Sequence, residues 1–116
     1  MPVLTEEGDL VARRVVEARS FGRRLAGWIG RDVADPDEAL YLPRCPSVHT
    51  LFMKMPIDVV FLDRAGRILR ICEGLPPWRV ASCVGASGVV ELAAGRSRAA
   101  GLSAGRRLVV LDPEAA

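Results

Sequence analysis

The sequence contains few of the side chains that usually build catalytic or metal centres. Its 116 residues include one histidine, His49, and three cysteines, which are Cys45, Cys72 and Cys83. An odd number of cysteines without C-x-x-C spacing argues against a disulfide framework and favours a reduced compartment. Because the ligand spacing of a zinc site is also absent, we predict no metal and no cofactor.

Long apolar runs and a strong charge of one sign are also missing. No run approaches the roughly 20 apolar residues of a membrane-spanning helix, and the acidic N-terminal residues lack the order of a secretory signal. The 16 basic and 14 acidic side chains leave a net charge of +2, which is too small to indicate general affinity for nucleic acid or anionic membrane. We therefore expect a cytoplasmic protein, for the chain as it stands, with no nucleic-acid and no membrane partner.

Half of the residues are hydrophobic, which is enough for a single domain over residues 1–116 with frayed ends at about 1–9 and 112–116. The apolar patterns predict about seven or eight short strands, with turn signals roughly every ten residues. The clearest lie at 10–16, 38–42, 48–54, 57–62, 67–71, 89–92 and 108–111, and short helices are predicted at 21–28 and 97–100. This pattern predicts a mainly β fold with one or two short helices, arranged as a small antiparallel sandwich or barrel.

The middle of the chain, residues 45–63, carries the strongest strand signals. Residues 48–54 alternate between two largely apolar faces, with His49 on one face and Thr50 on the other, and this predicts an interior strand. Residues 57–62 predict a second strand. The segment from Asp63 to Gly66 fits a type I turn that leads into a hairpin partner.

These segments resemble a known family. The runs that carry the resemblance are His49-Thr-Leu-Phe-Met53, Pro56-Ile-Asp-Val-Val-Phe-Leu-Asp63 with Gly66, and Glu91-Leu-Ala-Ala-Gly95. They resemble the Domain of Unknown Function 192 family of bacteria and archaea, and residues 21–31 are similar to that family's R-G-L-M-x-R helix. The resemblance implies a jelly-roll-like small β domain whose biochemical role is not established. This chain departs from the family at Arg106, which stands where the family usually has aspartate after glycine.

His49 is the first candidate for chemistry, because an imidazole can act as a base, a ligand or a pH switch near neutrality. The alternative is a core histidine on an apolar strand, which we favour because a catalytic site needs partners. Cys45 would lie about 13 Å from His49 in an extended chain, and Asp58 lies at least as far away in either strand geometry. The spacing therefore predicts no catalytic dyad.

Asp58 lies inside an apolar strand, so it needs a partner if it is buried. Arg79, which follows Pro76, Pro77 and Trp78, is the candidate. The pair has two interpretations, a structural ion pair or a polar anchor at the mouth of a pocket, and we favour the first. Trp78 is interpreted as a core or lid residue, with a ligand platform as the alternative.

The leading hypothesis from the sequence is a non-enzymatic binding or accessory module. Its predicted ligand-binding residues are His49, Thr50, Asp58, Trp78 and Arg79, and its partner would be a small molecule or another protein. One alternative is a hydrolase or transferase that uses His49 with Cys45 as catalytic residues, and it requires these two side chains within hydrogen-bond reach. A second alternative is a structural subunit of a larger assembly, which predicts an exposed apolar patch instead of a concave pocket.

Overall fold

The protein folds into eleven short strands and one helix within the part of the chain that the structure describes. The structure is a computed structural model, and it describes residues 2–17 and 33–110 and the backbone of 114–115. The strands are β1 (Val3–Thr5), β2 (Leu10–Ala12), β3 (Arg14–Glu17), β4 (Glu38–Pro43), β5 (Ser47–His49), β6 (Ile57–Leu62), β7 (Ile68–Leu75), β8 (Val80–Ser82), β9 (Gly88–Ala93), β10 (Leu108–Val110) and β11 (Glu114–Ala115), and the helix is α1 (Arg96–Ala99).

A six-stranded sheet forms the centre of the fold, with the order β11-β3-β4-β9-β6-β7. Every residue of β6 and of β9 is buried, because both strands are paired on both edges and covered on both faces. This explains why residues 57–62 are apolar without alternation. The pairs β11–β3 and β3–β4 are parallel, whereas the other described pairs of this sheet are antiparallel. The predicted β fold is confirmed, and its central sheet is mixed.

Two smaller sheets cover the two faces of the central sheet. On one side the sheet β10-β1-β2 packs through Val3, Val11 and Leu108 against Val60 and Val90. On the other side the sheet β5–β8 packs through Val48 and Ala81, and the loop between β5 and β6 adds Met53 and Met55. The fold is therefore a layered sandwich whose outermost layer on the second side is only two strands wide.

The local predictions succeeded where short-range chemistry decides the structure. Strand β6 coincides with the predicted strand at 57–62. In the turn that follows, Gly66 N–H donates to the Asp63 carbonyl at 3.0 Å, and the Asp63 carboxylate accepts from the N–H groups of Ala65 and Arg67. A left-handed φ of 84° at Gly66 shows why glycine ends this turn.

Three local predictions differ from the structure. Residues 3–5, predicted to be frayed, form β1 because β2 and β10 pair with its two edges, and Val3 is fully buried. The predicted strand at 10–16 is interrupted at Arg13. The predicted interior strand at 48–54 is wrong, since β5 ends at His49 and pairs only with β8 among the described strands. The predicted helix at 21–28 lies outside the described residues.

The predicted helical turn near 97–100 is present as α1, which ends before Gly101 at a φ of 70°. Within residues 2–17 and 33–110, no helix has the length and apolar character needed to cross a bilayer.

Candidate binding surface and buried carboxylate

Asp58 is fully buried on β6 and accepts four hydrogen bonds. Its Oδ1 accepts from the backbone N–H of Gly74 at 2.8 Å. Its Oδ2 accepts from the N–H of Gly95 at 3.1 Å and from both the N–H and the hydroxyl of Ser97 at 3.0 and 2.6 Å. These donors come from β7 and from the start of α1, so the carboxylate ties both to the central strand β6.

This arrangement corrects the predicted pairing of Asp58 with Arg79. The guanidinium of Arg79 is exposed, and its Nη1 donates instead to the carbonyl of Trp78 at 3.4 Å. Backbone amides stabilise a buried carboxylate as a cation would, because each N–H directs its positive end at the charge. Gly74 and Gly95 adopt φ angles of 60° and 88°, which turn their N–H groups toward Asp58 without steric cost. Asp58 therefore links β7 and the start of α1 to β6.

Thr50 performs a comparable task for the loop that carries Trp78. Its side chain is fully buried, and its hydroxyl donates to the Pro76 carbonyl at 2.6 Å while accepting from the N–H of Arg79 at 2.9 Å. The backbone N–H of Thr50 donates to the Arg79 carbonyl at 2.8 Å, and the carbonyl of Thr50 accepts from the N–H of Trp78 at 3.0 Å. Four hydrogen bonds thus clamp residues 76–79 onto the end of β5.

The clamp presents two aromatic rings at the surface. Phe52 and Trp78 lie with their ring centroids 4.9 Å apart at an interplanar angle of 62°, an edge-to-face geometry that aromatic pairs favour. Their exposed fractions are 59% and 57%, and Val80 on β8 is 69% exposed. We call Phe52, Trp78 and Val80 the aromatic surface.

Both aromatic residues adopt a left-handed backbone conformation. Phe52 has a φ of 67° and Trp78 a φ of 62°, and Arg44 is the remaining non-glycine residue with positive φ among those that the structure describes. Bulky side chains rarely adopt this conformation, since it brings Cβ close to the following carbonyl. Two of these three strained backbone positions therefore carry the exposed aromatic rings.

His49 lies next to the aromatic surface. It pairs with Val80 across β5 and β8, and directly opposite residues in a sheet share a face. The neighbouring pair Val48 and Ala81 is buried in the core, so His49 and Val80 lie on the outer face. The imidazole is half-buried, and its Nδ1 accepts from the N–H of Leu51 at 3.2 Å. The thiol of Cys45 donates to the carbonyl of Ser47 and not to this imidazole.

The structure thus brings together four of the five residues predicted from the sequence. His49, Thr50, Trp78 and Arg79 lie at the junction of β5 and β8, whereas Asp58 accepts its hydrogen bonds from another part of the fold. Sequence reasoning missed Phe52, because strand-like alternation assigned its side chain to an interior strand. The turn at residues 51–55 buries Met53 and Met55 and exposes Phe52.

The described residues offer few groups for metal chemistry. Within residues 2–17 and 33–110, no three His, Cys, Asp or Glu side chains lie close enough to hold a metal ion, and the three cysteines are unpaired.

The fold and these contacts define a small sandwich-like β domain with an exposed aromatic pair and a buried carboxylate that accepts hydrogen bonds mainly from backbone N–H groups. The family model DUF192, described as "Uncharacterized ACR, COG1430", matches residues 3–110. The chain therefore belongs to the Domain of Unknown Function 192 family. No functionally curated protein matches this sequence.

Two solved structures have the same fold. A protein of unknown function from Novosphingobium aromaticivorans superposes with a TM-score of 0.79 at 18% identity, covering 95% of this chain and 84% of that protein. A protein from Sinorhizobium meliloti, described as a "putative transcription regulator", has a TM-score of 0.77 at 24% identity, covering 93% of this chain and 89% of that one. At these identities the similarity establishes the architecture alone.

Arg106, where the resemblance leads one to expect aspartate, has acidic partners in this chain. Its Nη2 lies 2.6 Å from the carboxylate of Glu7 and 3.1 Å from that of Asp9, and its Nη1 donates to the Gly101 carbonyl at 2.6 Å. The hydrogen bond from Arg106 lowers the pKa of Glu7. The positive charge at this position, where the family usually has a negative one, is thus paired with two acidic side chains in the β1–β2 turn.

Proposed function

We propose that this protein is a non-catalytic binding module that uses the aromatic surface to hold an extended segment of another protein. The observation that carries the proposal is the exposure of two large aromatic side chains at backbone positions that glycine would occupy at lower cost. Residues held in sparsely populated conformations concentrate at ligand-contacting sites. Tryptophan is also over-represented among residues that dominate protein interfaces.

The edge of the outer sheet supports an extended partner. Among the described strands, β8 pairs with β5 alone, so its other edge faces away from the sheet. Extended peptides can add to such an edge through main-chain hydrogen bonds, and neighbouring side chains then provide specificity. Arg70 already donates to the carbonyl of Ser82 at 2.8 Å, so the segment would pair at the Val80 end of β8, beside the two rings.

Charge supports a partner with acidic residues. The exposed guanidinium of Arg79 forms no ion pair with any residue that the structure describes, and Arg70 likewise contacts a carbonyl and no carboxylate. One cation therefore lies at each end of β8, with Arg79 at the Val80 end and Arg70 at the Ser82 end. Complementary charge at the rim of an interface mainly accelerates association and selects the partner.

Selection from a random peptide library on the wild-type protein tests the proposal, followed by affinity measurements on single variants. We expect selected peptides to be acidic and to bind Phe52→Gly and Trp78→Gly about tenfold or more weakly, because these substitutions remove interface aromatics. The matched control is Leu69→Ala, which truncates an apolar side chain of 39% exposure on β7 and should leave affinity unchanged.

The stability of the same variants must be measured, because it separates a binding role from a structural one. Glycine relieves the left-handed strain, so both variants should unfold within about 1 kcal/mol of the wild type or be more stable. Selected peptides that bind both glycine variants as tightly as the wild type would refute the proposal. A loss of several kcal/mol in either variant would show instead that the ring is needed for folding.

A further inference from the structure

A second candidate site lies away from the aromatic surface, and we propose that it binds a small organic anion. It is a cleft of about 790 Å³, within the roughly 300–1,000 Å³ that is typical of small-molecule sites. Its walls come from the ends of β4 and β9, the turn between β6 and β7, and β10. None of Phe52, Trp78 and Val80 lines it, so the inference is independent of the proposed protein partner.

Backbone hydrogen bonds between distant segments preform the cleft. The N–H of Arg44 donates to the Ser87 carbonyl at 2.7 Å, and the N–H of Ser87 donates to the Leu62 carbonyl at 2.7 Å. On the other side, the N–H of Leu108 donates to the Gly66 carbonyl at 2.9 Å. A Cβ at Gly66 would lie 2.7 Å from the Leu108 carbonyl oxygen, so the two walls meet this closely only because glycine is present.

Positive charge dominates the lining. Three arginines, Arg44, Arg64 and Arg107, line the cleft together with one acid, Asp63. The Oδ1 of Asp63 already accepts two backbone N–H groups, which offset part of its negative charge. Arginine recognises carboxylate and phosphate groups through paired N–H donors, so the excess of guanidinium groups favours an anionic ligand.

Two of these arginines are positioned by their own local contacts. The Nε of Arg107 donates to the Ala65 carbonyl at 2.6 Å, which holds its side chain over the β6–β7 turn. The Nη1 of Arg107 lies 3.9 Å from the exposed carboxylate of Glu6, a distance at which an exposed pair is weak. Arg44 has a φ of 56°, and this strained conformation places it at the cleft beside Ser87.

The remaining lining is suited to an uncharged body. Pro43, Val109 and Val110, which are only partly buried, contribute apolar surface, and Tyr41 contributes a ring with one hydroxyl. Burial, and after it the negative charge of Glu17, raises the pKa of Tyr41, so the phenol stays protonated and can donate a hydrogen bond. Because the negative charge of Glu17 acts at Tyr41, the anionic group is expected beside the guanidinium groups and the uncharged body beside Tyr41.

Titration calorimetry with four probes tests this assignment. Phenyl phosphate and benzoate carry the two candidate anionic groups on an apolar ring, benzamide is a neutral counterpart of benzoate, and inorganic phosphate lacks the ring. We expect at least one of the two aromatic anions to bind, and the comparison of phenyl phosphate with benzoate distinguishes phosphate from carboxylate recognition. Binding should weaken as salt rises from about 50 to about 500 mM, because the counter-ions screen the guanidinium groups.

Single variants locate the binding in the cleft. Arg64→Gln and Arg44→Asn each remove one charge, and asparagine tolerates the left-handed backbone of Arg44, so both variants should fold. Each should bind the aromatic anion about tenfold more weakly. The matched control is Arg98→Gln, since Arg98 is exposed beside Glu73 and does not line the cleft.

Amide chemical shifts provide a readout that does not depend on affinity. On addition of the aromatic anion, the largest changes are expected at Gly66, Ser87 and Leu108. The proposal would be overturned by any of three results: neither aromatic anion binds the folded wild type, benzamide or inorganic phosphate binds as tightly as they do, or the cleft variants bind as tightly as Arg98→Gln.

Discussion

Replacement of Asp58 by alanine should be among the most damaging single substitutions in this protein. The change would leave four donors without their acceptor: the N–H groups of Gly74 and Gly95 and both the N–H and the hydroxyl of Ser97. The two Ser97 groups are buried, and each buried donor left unsatisfied costs about 1–3 kcal/mol. The two glycine amides are only partly buried, so water can replace much of what they lose. We therefore expect a loss of about 4 kcal/mol in the free energy of unfolding.

Asp58→Asn should be less damaging, with a loss of about 2 kcal/mol. The amide oxygen can occupy the position of Oδ2 and keep the three hydrogen bonds there, but the amide nitrogen then faces the N–H of Gly74, which is also a donor. Charge assistance is lost as well. The order of stability should be wild type, then asparagine, then alanine.

Urea unfolding followed by circular dichroism measures these differences, provided that the slope with denaturant stays constant. The matched control is Asp63→Ala, which removes a carboxylate that also accepts two backbone N–H groups but lies in an exposed turn. Water can replace it there, so this variant should lose only about 1 kcal/mol. If Asp58→Ala lost no more stability than Asp63→Ala, the buried carboxylate would not hold β7 and α1 to β6, and the reasoning would fail.

Three further predictions concern the rest of the fold. Thr50→Val keeps the shape of the side chain but leaves the two backbone partners of its hydroxyl unsatisfied, so it should lose about 2–3 kcal/mol in urea unfolding; an unchanged midpoint would contradict the clamp. An unfolded tyrosine ionises near about pH 10, and burial followed by the charge of Glu17 raises the pKa of Tyr41 in the folded state. As pH rises, the tyrosine of the unfolded chain therefore loses its proton first, and the free energy of unfolding should fall above about pH 10. Tyr41→Phe should show a smaller fall; an equal fall in both proteins would refute the prediction. Gly66→Ala should lose more stability than Gly8→Ala, since both positions have positive φ but only the first places a Cβ against a backbone oxygen; equal losses would show that backbone strain alone matters.

Strand β6 and the turn after it could be predicted from the sequence because their causes are local. An unbroken apolar run needs burial on both faces, and the Asp63-to-Gly66 turn is encoded by the hydrogen bonding of aspartate and the backbone freedom of glycine. The helical turn at α1, with Gly101 after it, was predictable for the same reason.

The prediction failed between residues 50 and 55, where the chain turns although the sequence alternates as in a strand. Alternation alone predicted a strand, but the backbone turns at Phe52, where φ is 67°. What favours the turn is distant in the chain, since the hydroxyl and carbonyl of Thr50 are engaged by residues 76–79. No pattern within the segment records those contacts.

The sequence by itself determined the class of fold, the membership of the Domain of Unknown Function 192 family and the need of Asp58 for a partner. The tertiary structure decided which groups those partners are: three backbone amides and the Ser97 hydroxyl, from residues 16 to 39 positions further along the chain, and not the arginine that charge alone suggested. The residues of the aromatic surface and of the anion-binding cleft likewise come from separate segments of the chain, and only the tertiary structure brings them together. Periodicity and turn chemistry act over a few residues, whereas the positions of distant side chains depend on strand register and layer packing, which only the folded chain establishes.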